Sequence, residues 1–541
     1  MKKKVYTAAL ALAVVLPAAA QDTYESARLL GNDLNGTARY VGMGGAMEAL
    51  GADISTISTN PAAIGLFRHS SFSVSAGMTS LQGAHKFNDQ SITKMSFDQL
   101  GFVYSSRVSR RSFVNVGFNY HKSRNFNQIL SAANSLRHAS QNGLSVHKAA
   151  LGDVRSGGYY WDFNKQGDVI GYEDEYSDVR AQTFSQSDYM NLNALNLDKD
   201  EEGYLMNIND ADHYMFDRAS RGWINEYDFC VSGNQGDRFY WGVTVGVHDV
   251  NYKGFSIYTE RLVNAQGSNT GYDGNEDYVD YMDKRTIEGT GIDVKAGIIF
   301  RPVEDSPFRV GLYVSTPTWY EFTSENVSDY NNDSEYGPED TWYSDEKYDF
   351  RYFTAWKFGA SLGHTIGENL ALGLSYEVSD HSAADNRILS GDYNSSGYER
   401  SYSDGVMAYN TEKSLKATHL LKAGIEYKPN PALALRFGYN FQSSSYEKNG
   451  VRDMMLDSPG VAYSSTTDYV NWKDTHRFTC GLGVKAGGMN IDLAYQYSAT
   501  NGDFHPFQDY SNQYSSAVFD SGVKEVSNKR HQVLLTLGYT F

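Results

Sequence analysis

The chain has 541 residues and carries 65 acidic against 47 basic side chains, a formal net charge of -18. That balance disfavours binding to nucleic acid or anionic lipid through a basic patch. Only 2 cysteines are present, which excludes a disulfide scaffold, and both are read as free and structural.

In chain order, residues 1–20 read as an export signal. Lys2, Lys3 and Lys4 precede an apolar run from Ala8 to Leu16, and Ala18-Ala19-Ala20 supplies a small-residue cleavage site, so the mature chain is expected to begin at Gln21. Beyond it no stretch approaches about 18 consecutive apolar residues, which excludes a helical membrane protein. A soluble β protein and a membrane β-barrel remain, because a barrel is polar on average when only alternate residues meet lipid. Aromatics at 14% favour the barrel, whose interface girdles need them.

Residues 21–70 do not alternate. They hold the run GTARYVGMGGAMEALGADISTISTNPAAIGLF from Gly36 to Phe67, in which Ala46–Leu50 is read as a short helix and Asp53–Thr59 as a capped turn. Placed before the first strand, this small and apolar segment is expected to plug the lumen, since an open pore of this strand number would leak.

From residue 71 onward period-2 alternation takes over, in the runs 71–78, 97–106, 112–122, 222–233, 238–250, 286–301, 308–316, 350–363, 369–379, 414–428, 432–442, 474–485, 489–498 and 529–541. In 432–442 Leu433, Leu435, Phe437, Tyr439 and Phe441 form one face and Ala434, Arg436, Gly438, Asn440 and Gln442 the other. Arginine at the bilayer midplane of a lipid face costs about 2–4 kcal/mol, so Arg436 must face the lumen. The faces read as lumenal are rich in glycine. Short turns at Gly233–Asp237, Pro302–Pro307, Pro429–Pro431 and Ala486–Gly488 alternate with long stretches at 79–96, 123–221, 251–285, 317–349, 380–413, 443–473 and 499–528. Short periplasmic turns and long external loops are the pattern of single-chain outer-membrane barrels. The fold read from this is an all-β, 14-stranded antiparallel transmembrane barrel at 71–541 enclosing a plug at 21–70. Unpaired backbone is not tolerated in hydrocarbon, so 529–541 must pair with 71–78. That closure is expected to put the segment ahead of strand one near the seam.

Gly44-Gly45-Ala46 and Asn60-Pro61-Ala62, the latter just before strand one, resemble the N-terminal hatch of the FadL/TodX long-chain fatty acid transporters of Gram-negative outer membranes. The strand number, the plug and the terminal Phe541 fit that resemblance along essentially the whole chain. It implies a hatch motif at Asn60, Pro61 and Ala62 and an inward kink of the third strand, for which Asn115, Gly117 and Asn119 are the candidates. It implies passive uptake of hydrophobic small molecules such as long-chain fatty acids, with lateral exit into the outer membrane. The terminal aromatic strand resembles the signal read by the outer-membrane assembly machinery, which with outer-membrane lipid and lipopolysaccharide makes up the expected partners of a monomer. The alternative is a structural or adhesive surface protein with tyrosine-rich loops and a permanently closed barrel.

Charges on the lumen faces, Glu226, Asp228, Asp293, Lys295, Arg309, Arg351, Lys357, Lys422, Glu426 and Arg436, are read as a network that pairs internally and with Arg39 and Glu48 of the plug. No cofactor, metal or catalysis is expected. GASLG at Gly359–Gly363 lacks the strand-turn-helix context that exposes a nucleophilic Ser361. Asp198, Asp200, Glu202 and Gly203 start a calcium loop whose closing glutamate is replaced by Asn209, leaving a solvated acidic turn. The histidines show no near-neighbour pairing for zinc.

Overall fold

The structure is a computed structural model that describes residues 21–156, 159–163, 169–174, 184–194, 210–263, 278–332, 342–511 and 518–541. The export signal at 1–20 and the acidic turn at 198–209 therefore lie outside the described residues.

Fourteen antiparallel strands close on themselves. They are β1 (Ser71–Gln82), β2 (Thr93–Ser109), β3 (Ser112–Asn125), β4 (Asp210–Gln235), β5 (Phe239–Val263), β6 (Tyr278–Phe300), β7 (Arg309–Ser315, resuming as Trp319–Asn332), β8 (Trp342–Phe353, resuming as Lys357–Ile366), β9 (Leu370–Asp380), β10 (Ala417–Asn430), β11 (Leu433–Gln442), β12 (Tyr469–Ala486), β13 (Met489–His505) and β14 (Lys524–Thr540). The seam pairs β1 with β14 from Ser71↔Thr540 to Gln82↔Lys529. The segment Gln128–Ala139 continues the path of β3 along β4.

Facing follows the alternation. On β5, Phe239, Trp241, Val243, Val245 and Val247 are exposed on the outside, while Tyr240, Gly242, Thr244, Gly246 and His248 are buried. An exposed apolar band around a closed and filled barrel has lipid as its solvent, and the protein is an outer-membrane β-barrel. Among the described residues no helix is long and apolar enough to span a membrane.

Strands extend far into the stretches read as external loops. β4 and β5 run 26 and 25 residues, where a tilted crossing needs about 9–11. The outward positions after Val247 are Asp249, Asn251 and Lys253, so the extension stands above the bilayer and loses the apolar-out signal that marks a membrane strand. Its inward face is apolar instead. Tyr214, Phe216, Tyr258 and Leu262 pack with Leu144, Phe184, Val470, Phe504 and Phe507 into a dome over the outer mouth. The run 350–363 is two pieces parted at Thr354–Trp356, opposite the interruption at Thr316–Thr318 in β7. Pro317 cannot donate to a ladder there, and Thr318 and Thr354 bond each other across the break.

The plug comprises α1 (Thr23–Ala27), α2 (Ala38–Gly42) and two 3-10 turns, Ile54–Ser58 and Pro61–Leu66. Thr37 caps α2 and Asp53 caps the first turn, and the Thr37 hydroxyl donates to the Asp53 carboxylate at 2.8 Å. Ala46–Leu50 is not helical, contrary to the reading above. Gly44, Gly45 and Gly51 take φ of +63°, +80° and +66°, left-handed values that a right-handed helix does not continue through.

Candidate functional site

The glycine-rich lumen faces have a physical cause: plug backbone lies directly on them. A Cβ on Gly373 would sit 1.9 Å from the Ala46 carbonyl oxygen, on Gly424 2.3 Å from that of Met43, and on Gly438 2.1 Å from the Gly44 amide nitrogen. On Gly242 it would meet the Pro61 carbonyl carbon at 2.4 Å, and on Gly297 the Asn60 Oδ1 at 2.0 Å. Asn60, Pro61 and Ala62 thus form a fully wedged turn. Asn60 caps it by accepting from the Ala62 amide at 3.1 Å, and Pro61 takes the first helical position, where its missing N–H costs nothing. The turn rests on β4, β5 and β6 rather than at the β1–β14 seam, because the plug crosses the lumen before it reaches β1.

Charged side chains tie plug to wall. Arg39 donates to Glu426 (3.0 Å), which also holds Arg436, and Arg436 reaches Asp492 at 2.5 Å. Lys422 donates to Glu48 at 2.6 Å, and Arg309 to the Leu50 carbonyl at 2.9 Å. Arg351 lies higher, on Glu321 and under the Tyr398 ring, so it serves an external hairpin and not the plug. Lys357 lines a small interior cavity. A second knot gathers Glu226, Asp228 and Asp293 around the Lys295 ammonium at 2.6, 3.1 and 2.7 Å, with Ser58 of the plug donating to Asp228 at 2.7 Å. His121 and His248 flank the same carboxylates, Nε2 of His248 lying 3.1 Å from Asp293. The sequence hid this convergence, since the two histidines sit on β3 and β5 and meet only across the wall. The two groups His121, Glu226, Asp228 and Glu226, His248, Asp293 have the donor types of a metal site, and the Lys295 ammonium bonds all three of their carboxylates.

Asn115, Gly117 and Asn119 stay in register with β2 on one side and β4 on the other. They face the plug: Asn115 donates to the Ile64 carbonyl at 2.7 Å and Asn119 to Ser58 at 3.2 Å. The irregularity lies further on. β2 and β3 are paired from Ser109↔Ser112 only as far as Gln99↔His121, whereas β1 and β2 continue to Ser80↔Thr93. Asp98 is the extra residue of a bulge in β2, and Ser123 that of a bulge in β3. Beyond them β3 and its continuation leave β2 and lean on β14, with Arg137 bridging Asp520. Bulges bend a strand and end its pairing.

Three β3 backbone groups stranded by this divergence, at Lys122, Ser123 and Asn125, are satisfied by the plug. Asp33 donates its amide to the Ser123 carbonyl at 2.7 Å and accepts from the Asn125 amide at 2.9 Å. Asn35 donates to both the Lys122 carbonyl and Asp98 at 3.0 Å, spanning the gap. Lys94 of β2 reaches Asn127 at 3.0 Å. Sequence reasoning missed Asn35 and Asp33, which carry no motif, and their role emerges only from what β3 has lost.

Above the plug, Phe126, Tyr252, Tyr320, Phe322, Tyr348, Phe350 and Tyr352 form an aromatic shell filled by Ala27, Leu29 and Leu30 of the plug. Among the described residues two small spaces lie near it. A cavity of about 200 Å³ lies beside the gap and another of about 70 Å³ lies between plug and wall, below the roughly 300–1,000 Å³ of ordinary ligand sites. Ser361 lies within the uninterrupted piece Lys357–Ile366, buried against the wall, so the nucleophile-elbow geometry is absent.

No family model matches the chain, and no curated protein matches it. Solved structures align over 94% of it. The toluene transporter TbuX of Ralstonia pickettii does so at 13% identity, 99% of its own length and a TM-score of 0.47. A FadL homologue of Pseudomonas aeruginosa does so at 11%, 99% and 0.49, and the Pseudomonas putida toluene transporter TodX at 11%, 99% and 0.44.

Proposed function

We propose that this outer-membrane barrel is a passive channel that takes up a hydrophobic or amphipathic small molecule, of which long-chain fatty acids are one class, and releases it sideways into the bilayer. One observation carries the reading: the wall is open between β2 and β3, and the plug, not a neighbouring strand, satisfies the exposed backbone there. In hydrocarbon, open backbone is tolerated only where protein covers it, so a movable cover makes the gap an exit.

The conformation described is the closed one. Leu29 and Leu30 occupy the aromatic shell that an alkyl chain or ring would seek, so cargo enters by displacing them. Their departure pulls on Asp33 and Asn35 a few residues along, uncovering β3. The wedge at Asn60, Pro61 and Ala62 and the pairs Arg39–Glu426 and Glu48–Lys422 keep the rest of the plug seated. No energy source is required, because transfer of an alkyl chain from water to lipid is favourable by about 0.8 kcal/mol per CH₂.

The test is uptake of a labelled fatty acid by cells that lack their own transporter, with Asn35→Cys and Asp98→Cys bridged by a short bis-methanethiosulfonate reagent, which forms a disulfide to each cysteine with release of sulfinate. Bridging should abolish uptake and reduction should restore it. Equal uptake in both states refutes lateral exit. A second reading, a closed surface protein that binds a neighbouring cell, is favoured by the hairpin Asp385–Tyr393/Glu399–Ser403 and the helix after it. There Tyr393, Tyr402 and Tyr409 are 65, 52 and 57% exposed. Absence of uptake in any state, with adhesion lost on deleting that hairpin, would establish it.

A further inference from the structure

The cavity beside the lateral gap has a charge composition unlike the rest of this acidic chain. Arg124 from β3, Arg477 from β12 and Arg530 from β14 converge on it, and the carboxylate they share is Asp33 of the plug. Arg530 pairs with Asp33 at 3.0 Å. Arg124 donates to the Gly31 carbonyl at 3.1 Å, and Arg477 donates to the side-chain carbonyls of Asn440 and Gln442 at 2.8 and 3.2 Å. Neither Arg124 nor Arg477 has a carboxylate within 4.0 Å among the described residues, and the Arg477 Nε is buried without any hydrogen-bond partner.

The opposite side of the cavity shows what a compensated set looks like. Arg28 pairs with Glu25 at 3.1 Å and Asp468 at 3.4 Å, Arg218 with Asp468 at 2.5 Å, Arg285 with Glu25, and Arg452 with Asp22 and Glu25, so each guanidinium there has a carboxylate in contact. Around Asp33 three guanidinium groups face one carboxylate, an excess of two positive charges in a space of about 200 Å³. Burial of uncompensated like charge is expensive, and the unmatched donors are planar forks suited to oxyanions.

We propose that this cavity binds a doubly charged oxyanion of the phosphomonoester class, which the three arginines hold in competition with Asp33. Two charges match the excess, whereas a single carboxylate would leave one guanidinium unanswered. Placement gives the site a consequence. Asp33 is one of the residues that satisfies β3 at the gap, so an anion that takes Arg530 from it loosens the cover at the exit. A head group held here lies next to the aromatic shell through Phe126 and Tyr252, both of which border cavity and shell alike. An alkyl phosphate whose chain displaces Leu29 and Leu30 from the shell would therefore occupy both at once. The link to release rests on the uptake reading above, but binding does not.

Calorimetry on the detergent-solubilised full chain tests it with inorganic phosphate, decyl phosphate, decanoate and decanol at about pH 8, above the second phosphate pKa of about 6. Decyl phosphate should bind at least about tenfold more tightly than decanoate or decanol, and Arg477→Gln and Arg124→Gln should each remove about tenfold, with Arg477→Lys restoring part. Phosphate binding as tightly as decyl phosphate assigns the site to the free anion, and a clear advantage for decyl phosphate assigns it to a lipid-like head group. Either outcome supports the site. No preference for the dianion, or affinities untouched by both substitutions in variants that retain the heat-modifiable barrel, overturns it. Phosphate binding without uptake of any probe would defeat the uptake reading alone. Uptake of an uncharged probe without phosphate binding would defeat this inference alone.

Discussion

The contact between glycine and plug backbone predicts a substitution whose effect should change sign. In Gly438→Ala the new methyl would lie 2.1 Å from the Gly44 nitrogen and 2.4 Å from the Met43 carbonyl carbon, both backbone atoms that cannot rotate away. Forcing a methyl into a filled interior costs about 1–3 kcal/mol. Against this, alanine in an unobstructed strand position is better than glycine by about 0.5–1 kcal/mol. The strand term is the same with the plug seated or not, so plug seating weakens by the steric cost alone, about 1–3 kcal/mol, raising the unseated fraction roughly 5–160-fold. Limited proteolysis of residues 21–65 in the detergent-solubilised barrel reads that fraction, and planar-bilayer conductance reads its consequence. In a barrel lacking residues 21–65 the same substitution should be neutral or slightly stabilising, because the plug backbone is gone and the remaining neighbour, the Thr479 hydroxyl 2.6 Å away, is released from the Gly42 carbonyl and can turn aside. Gly405→Ala, with nothing within 4 Å of its added methyl, is the control. Equal destabilisation with and without the plug, or unchanged protease protection, would refute the argument that the lumenal glycines are docking surfaces.

Other outcomes follow from the same contacts. Lys422→Met leaves the fully buried Glu48 carboxylate without its cation and should loosen the plug by about 3–5 kcal/mol, and adding Glu48→Met should recover most of that in the proteolysis assay. Asn60→Ala removes the cap of the wedged turn, about 1 kcal/mol, and should raise basal conductance without altering barrel heat-modifiability. Glu260, in the part of β5 above the bilayer, accepts from the Tyr258 hydroxyl and the Gln141 amide, and burial pushes its carboxyl up to about 7. The folded state keeps a proton that the unfolded state releases above about 4.3, so this group's contribution falls as pH rises from there to about 7 and is flat beyond, a change on the order of 3 kcal/mol. Hydrogen exchange of Ser140–Leu144 and outer β5, corrected for intrinsic rates, should show tighter protection at pH 5 than at pH 8, and Glu260→Gln should erase the difference. A slope that survives the substitution would reassign it to another group.

Much of the barrel was legible because lipid imposes a rule that acts residue by residue. Arg436 between Leu435 and Phe437 can face only one way, and repeating that inference locates every membrane crossing. The extensions above the bilayer escaped it, since outward Asp249, Asn251 and Lys253 obey no such rule and the inward tyrosines look like loop residues until the dome assembles. For the site, the glycines on lumen faces were visible but their purpose was not. A missing Cβ says that something comes close, and nothing local says that it is the Met43–Gly44 or Asn60–Pro61 backbone. Asparagine and glycine tolerate irregular backbone, yet Asn115, Gly117 and Asn119 stay in register, and the bulge of β3 falls at Ser123 in its ladder with β4.

By itself the sequence determined which residues face lipid, how many strands close the wall and that a non-alternating segment precedes them, because burial in hydrocarbon is decided by each side chain's own solvation. Only the tertiary structure decided where that segment lies, which wall glycines it covers, that His121 and His248 share one set of carboxylates, and that Asp33 and Asn35 stand in for a missing strand neighbour. These depend on atoms brought together from distant parts of the chain, and no single residue's chemistry encodes its partner's position.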